Sequence, residues 1–126
     1  MGNQNVVQRF VEALAERNHE GVADCFAGDI QFRALIPPGL TEAAGSAEAT
    51  ALFMSWWGDS DRFRLISSSS EGIADKTRVT YTIQGREAGE WYACQQQAFC
   101  IVNDDKMATL DILCSGFRPI PKLGWA

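Results

Sequence analysis

Histidine is almost absent from this chain, and with His19 standing alone the commonest metal ligand and general base is in short supply. The four cysteines, Cys25, Cys94, Cys100 and Cys114, lie far apart and form no C-x-x-C pair, so with a single histidine no zinc constellation is expected and buried free thiols are the default. Basic residues number 11 against 16 acidic ones, for a net charge of −5. That balance offers no basic stripe to phosphates and argues against nucleic acid or an anionic membrane as partner. No apolar run approaches the roughly 18 residues of a spanning helix, and the start MGNQNVV lacks the basic, apolar, small-residue order of a secretory signal. The expectations are a cytoplasmic location, no persistent disulfide, and no metal or cofactor.

What is present suits one hydrophobic core. The chain has 126 residues, 46% of them hydrophobic and 21% charged, which is ordinary for a single globular domain. In NVVQRFVEALAERN, Val6, Val7, Phe10, Val11 and Leu14 fall at helical spacing and predict an amphipathic first helix. Asn18 is placed to cap a short second helix reaching about Phe26, with Gly28 ending it. From Ile30 to Ile36 the period changes to two, which predicts a strand, and Pro37 to Gly45 reads as a loop.

Ser46 is placed to cap a third helix carrying Ala49, Leu52, Phe53, Trp56 and Trp57 on one stripe, ended by Gly58. Four extended segments follow, Phe63 to Ile73, Thr77 to Gln84, Trp91 to Val102 and Met107 to Phe117. Helices first and strands afterwards define the α+β class. The expected organisation is one domain over residues 1–117 and an extended tail, 118–126, with Trp125 free to dock on the domain or a partner.

Three stretches, CFAGDIQF, GSAEATALFMSWWG and AFCIVNDDKMATLDI, resemble the nuclear transport factor 2-like superfamily, and within it the SnoaL-like group. The likeness extends over nearly the whole chain. It implies a cone-shaped fold, with a curved antiparallel sheet wrapped by three N-terminal helices around a pocket, and commonly a homodimer. Members range from isomerases, dehydratases, cyclases and epoxide hydrolases to non-catalytic binders, so the residues must decide.

At the positions that carry the tyrosine donor and aspartate base of the ketosteroid-isomerase branch, this sequence resembles the family with Phe10 and Ala34, and a third acid position falls at Ala98. Phenylalanine cannot donate and alanine cannot titrate. No Asp-Arg-Asp triplet of the epoxide-hydrolase kind can be placed around Arg78 and Arg86. The cavity histidines of the dehydratase branch have only His19 to match them, at a corner where solvent exposure is the simpler reading. The resemblance to the cyclases leaves Asp111, the acid of the final strand, and Tyr81 on the third strand is a second candidate proton carrier.

The direction of Asp111 depends on the last hairpin. A three-residue loop, Asn103 to Asp105, puts Cys94, Gln96, Ala98 and Cys100 on one face with Leu110, Ile112 and Cys114, and turns Asp111 away. A two-residue turn at Asp104 and Asp105 shifts the pairing by one and brings Asp111 to the face of Ala98 and Cys100. Tyr81 packs inward in either case, and of Gln95, Gln96 and Gln97 at least one faces in.

The candidate ligand-contacting set is therefore Phe10, Phe32, Ala34, Trp56, Trp57, Phe63, Tyr81, Gln96, Ala98, Cys100, Ile112 and Cys114. The aromatic members either cage a flat apolar ligand or simply fill the core. Cys100 and Cys114 become reactive only where a neighbour lowers their pKa. The expected function is binding of a small hydrophobic metabolite, with any catalysis a cofactor-free isomerisation, cyclisation or dehydration. The alternative is a non-catalytic binding or dimerisation module that buries Phe99, Ile101 and Leu113 on the outer face of the sheet.

Overall fold

The computed structural model describes residues 2–37 and 39–121, with side chains from Val6 onward. Helix α1 (Gly2–Ala15) presents Val6, Val7, Phe10 and Leu14 to the interior, as its periodicity requires. Helix α2 (His19–Cys25) begins where Asn18 accepts from the Gly21 backbone N–H at 3.0 Å, the capping the sequence anticipates. It ends three residues before Gly28, because Phe26 already takes extended backbone as the first residue of β1 (Phe26–Ile36).

The stretch read as a loop contains a strand, β2 (Gly39–Ala44), paired antiparallel with β1. Its sequence GLTEAA has no apolar alternation, and its extended form rests on backbone pairing with a neighbour that is already buried. Helix α3 (Ser46–Ser55) starts from Gly45, at φ 89°, rather than from a Ser46 cap. Glu48 reaches back instead and accepts from the Ala44 N–H at 2.9 Å, while the Ser46 hydroxyl donates to the Ala23 carbonyl. Trp56 and Trp57 lie just past the helix, in the turn.

Strands β3 (Arg62–Ile73), β4 (Lys76–Glu87), β5 (Glu90–Asn103) and β6 (Lys106–Cys114) form the meander, and β7 (Arg118–Pro119) adds a short pair on β5. The sheet runs in the order β2-β1-β6-β5-β4-β3 and is curved and unclosed. One pair departs from the antiparallel expectation: β1 and β6 are parallel, from Phe26 beside Met107 to Leu35 beside Leu113. Both strands set out from the same end of the sheet, where Arg9 of α1 pairs with Asp105 in the turn that starts β6. The sheet is thus mixed, with three helices over one face.

Alternation along the strands sorts the faces. Ile30, Phe32 and Ala34 of β1, Val79, Tyr81 and Ile83 of β4, Cys94, Gln96, Ala98 and Cys100 of β5, and Leu110 and Ile112 of β6 are all buried under the helices. Serines 67–70 occupy the exposed edge strand β3, where small polar side chains meet solvent. Gly85 lies within β4, and it is required there: a Cβ would sit 2.6 Å from both the Arg62 carbonyl and the Tyr92 hydroxyl. Trp125 lies outside the described residues.

Candidate functional site

The β5–β6 hairpin decides which way Asp111 points, and it combines features of both sequence readings. Asn103 pairs with Lys106 across a two-residue turn, with Asp104 at φ 52° and Asp105 at φ 62°. A bulge between Ile101 and Val102 then shifts the ladder by one, so that Ala98 faces Ile112 and Phe99 faces Asp111. The turn is the short one, yet the faces are those of the longer loop. Asp111 emerges on the outer face, where Arg33 Nε donates to it at 2.8 Å and Lys76 Nζ stands 3.9 Å away. Tyr81 lies inside, on the opposite side of the sheet. The two candidate proton carriers are not brought together.

Most of the remaining candidates do converge beneath the helices. Phe10, Phe32, Ala34, Trp57, Tyr81, Gln96, Ala98, Cys100 and Ile112 are buried, and Trp56, Phe63 and Cys114 are half-buried. The rings form a connected set: Tyr81 meets Phe10 at 6.2 Å, Phe10 meets Phe53 at 5.4 Å, and Phe53 meets both Trp56 at 5.4 Å and Trp57 at 6.0 Å. A side chain lining a water-sized void would expose area to it, and Tyr81 and Gln96 expose 0%. The rings therefore fill the cone around this pair.

At its base sits a polar pair. Tyr81 Oη donates to Gln96 Oε1 at 2.5 Å, and burial pushes the phenol well above the ordinary tyrosine range, so its proton is held. The Gln96 Nε2 has no hydrogen-bond partner despite complete burial, although its N–H groups favour the ionised form of the neighbouring Cys114. Cys94 Sγ and Cys114 Sγ are 3.4 Å apart. The hydrogen bond from Cys94 holds Cys114 below the ordinary thiol range, and the same bond together with burial pushes Cys94 upward. Cys100 is pushed up to about 11 by burial.

The sequence reading missed a surface groove that borders this interior. A groove of about 410 Å³ opens at the end of the cone, walled by Trp56, Trp91, Tyr92 and Phe117 and rimmed by Asp59, Glu87 and Glu90. Phe117 lies 5.5 Å from Trp57 and 5.1 Å from Tyr92, and the Tyr92 hydroxyl bonds Ser60 Oγ at 2.7 Å. Arg17, at φ 50° after α1, fixes the turn beneath the groove by donating to the Trp57 and Ser60 carbonyls at 3.0 and 2.7 Å. The signal available in the sequence was EAGEWY, a hairpin tip that puts acids and aromatic rings side by side. His19 is exposed, and Arg78 and Arg86 pair with Glu71 and Asp61.

A curved, unclosed sheet capped by three helices, with its buried face gathered into an aromatic cone, is the nuclear transport factor 2-like or ketosteroid-isomerase-like fold. Within that class the chain belongs to the SnoaL-like domain family, whose model matches residues 7–110. Solved structures agree on the fold. A protein assigned as a polyketide cyclase from Xanthomonas campestris pv. campestris superposes with a TM-score of 0.72 at 19% identity, covering 89% of each chain. A nuclear transport factor 2-like protein of unknown function from Burkholderia pseudomallei gives 0.73 at 17% identity, again with 89% of each chain covered. TerC, co-crystallised with polyporic acid, gives 0.70 at 13% identity over 89% of this chain and 90% of its own. No curated protein matches the sequence.

Proposed function

We propose that this SnoaL-like domain binds a small, flat hydrophobic metabolite, admitted at the groove beside Trp56 and Phe117 and anchored below by Tyr81 and Gln96. The observation that carries the reading is the Gln96 amide. Half of it is committed to Tyr81, and the other half is a fully buried donor without a well-formed hydrogen bond, beside the Cys114 sulfur, which is a weak acceptor. An unsatisfied buried donor costs about 1–3 kcal/mol, a burden that a purely structural core sheds by substitution. A ligand carbonyl would satisfy it. The co-crystallisation of TerC with polyporic acid supports this kind of occupant for the fold.

Binding, rather than catalysis, is the core of the proposal. Isomerisation, cyclisation or dehydration without a cofactor needs a group that moves a proton. Tyr81 holds its proton and donates it to Gln96 Oε1, while Asp111 is engaged by Arg33 across the sheet. The free thiols fit a reducing cytoplasm, where we place the protein. The test is a panel of quinones, planar phenols and polycyclic ketones, followed by tryptophan fluorescence and thermal shift in wild type and Gln96→Leu. Quenching and a raised Tm in wild type, both lost in the variant, are expected. No response to any compound in wild type would overturn the reading.

A second role, homodimerisation, is favoured by the outer face. Leu35, Leu40 and Leu113 are 51%, 58% and 48% exposed around a groove of about 390 Å³ whose charged members are Arg33, Lys76 and Asp111. An isologous contact would cover these leucines. Sedimentation should give a dimer that Leu113→Lys dissociates, and a monomeric wild type would refute the dimer.

A further inference from the structure

The aromatic cone does not account for one buried cluster, the two thiols at the end of β6. Cys94 and Cys114 face inward from neighbouring antiparallel strands, with Cys114 directly opposite Gln96 and Cys94 one pleat further along. Their sulfurs are 3.4 Å apart, within hydrogen-bonding distance. The other cysteines differ. Cys25 donates to its own helix, to the Gly21 carbonyl, and Cys100 is buried between Thr77 and Leu110 in the ladder.

The pair is asymmetric in a way that suits stepwise chemistry. Cys114 is half-buried and lines a shallow groove with Ile36, Pro37 and Leu113, within reach of a small reagent. Cys94 is 1% exposed and can be reached only by its partner. The Gly116 N–H points at Cys114 Sγ at 3.4 Å, a donor that would stabilise negative charge on this sulfur.

We propose that Cys94 and Cys114 form an oxidisable dithiol that takes hydrogen peroxide, or a small organic hydroperoxide, to an intramolecular disulfide. Cys114 as thiolate attacks a peroxide oxygen. The O–O bond breaks, hydroxide leaves and is protonated to water, and Cys114 becomes a sulfenic acid. Cys94 then attacks that sulfur, the S–O bond breaks, and a second water departs as the disulfide closes. Two electrons pass from the sulfurs to the peroxide, and two thiols plus one peroxide give one disulfide plus two waters.

Closure has a structural consequence. Diagonal partners in a sheet sit about 7–8 Å apart between Cα atoms, whereas a disulfide spans about 4.4–6.8 Å, so the strands must draw together. The adjustable joint is next door: Gly116, at φ 88°, turns the chain out of β6 toward β7. The next residue, Phe117, covers Trp57 and Tyr92. Oxidation therefore acts on the residue that walls the groove.

The experiment treats the reduced protein with hydrogen peroxide and maps its peptides under non-reducing conditions. The expected product joins the Cys94 and Cys114 peptides with loss of two hydrogens, is reversed by a thiol reductant, and forms ahead of any change at Cys25 or Cys100. Cys94→Ser should stop at the sulfenic acid, captured at Cys114 by dimedone, and Cys114→Ser should leave Cys94 unmodified. Oxidation of Cys25 or Cys100 while the pair stays reduced would overturn the proposal, as would intact thiols at all four positions. The wild-type map decides the matter even where a serine variant fails to fold.

Discussion

At the scale of single residues the two polar pairs of the interior invite different tests. Removing the hydroxyl with Tyr81→Phe leaves Gln96 Oε1 buried and unpaired, and should lower stability by about 1–3 kcal/mol in a denaturant titration. Gln96→Leu removes the orphan amide and should cost less, even though it also strips Tyr81 of its acceptor. For the thiols the sign follows from the donor. A hydrogen bond from Cys94 favours the Cys114 thiolate, so alkylation of Cys114 by iodoacetamide should rise through a midpoint below the roughly 8.5 of a free cysteine. In Cys94→Ala that donor is gone and only Gln96 and the Gly116 N–H remain to offset burial, so the midpoint should move upward from its wild-type position. Tyr81 and Gln96 were legible because period-two alternation fixes their face. Tyr92 and Phe117 were not, since their contacts depend on where the chain turns after Cys114, which no local pattern records.

Elements were readable where their pattern is local and blurred where it is borrowed. The amphipathic α1, the Asn18 cap and the alternating β1, β4 and β5 follow from spacing alone. Strand β2 is polar and exists through its pairing with β1, and the parallel β1–β6 contact joins segments about 80 residues apart, a long-range pairing invisible to periodicity. The bulge between Ile101 and Val102 shows how a turn can be short while the faces match a longer one, because one inserted residue absorbs the shift. Gly85 gives the element its sharpest test. Gly85→Ala drives a methyl into the Arg62 carbonyl and the Tyr92 ring, and an overpacked site of this kind should cost about 1–3 kcal/mol. A thermal melt showing no loss would mean that β3 and Tyr92 yield freely, contrary to the locked position the Ser60 bond gives that ring.

For the molecule as a whole, the central tension is between the proposed ligand binding and a cone packed with its own rings. Admission of a ligand then requires part of the structure to give way, and the weakest part is identifiable. Strands β4 and β5 pair from Thr77–Cys100 to Glu87–Glu90, whereas β7 holds β5 only through Tyr92–Pro119 and Ala93–Arg118, with Ile120 N–H on the Trp91 carbonyl. Segments with few buried contacts open locally long before the domain unfolds. Phe117 rides on this strap and covers Trp57, so the open form should be a minor population and apparent affinity should be reduced by that fraction. Phe117→Ala removes the cover without touching Tyr81 or Gln96. Stopped-flow tryptophan fluorescence with a ligand found in the panel should show faster association and tighter binding, by roughly ten-fold where opening costs about 1.4 kcal/mol. The acidic rim of Asp59, Glu87 and Glu90 should meanwhile favour neutral or cationic ligands over carboxylates, a preference that weakens as salt screens the rim. An association rate indifferent to both Phe117→Ala and salt would move the way in away from this groove and leave Trp56 and Phe117 as core residues that happen to reach the surface.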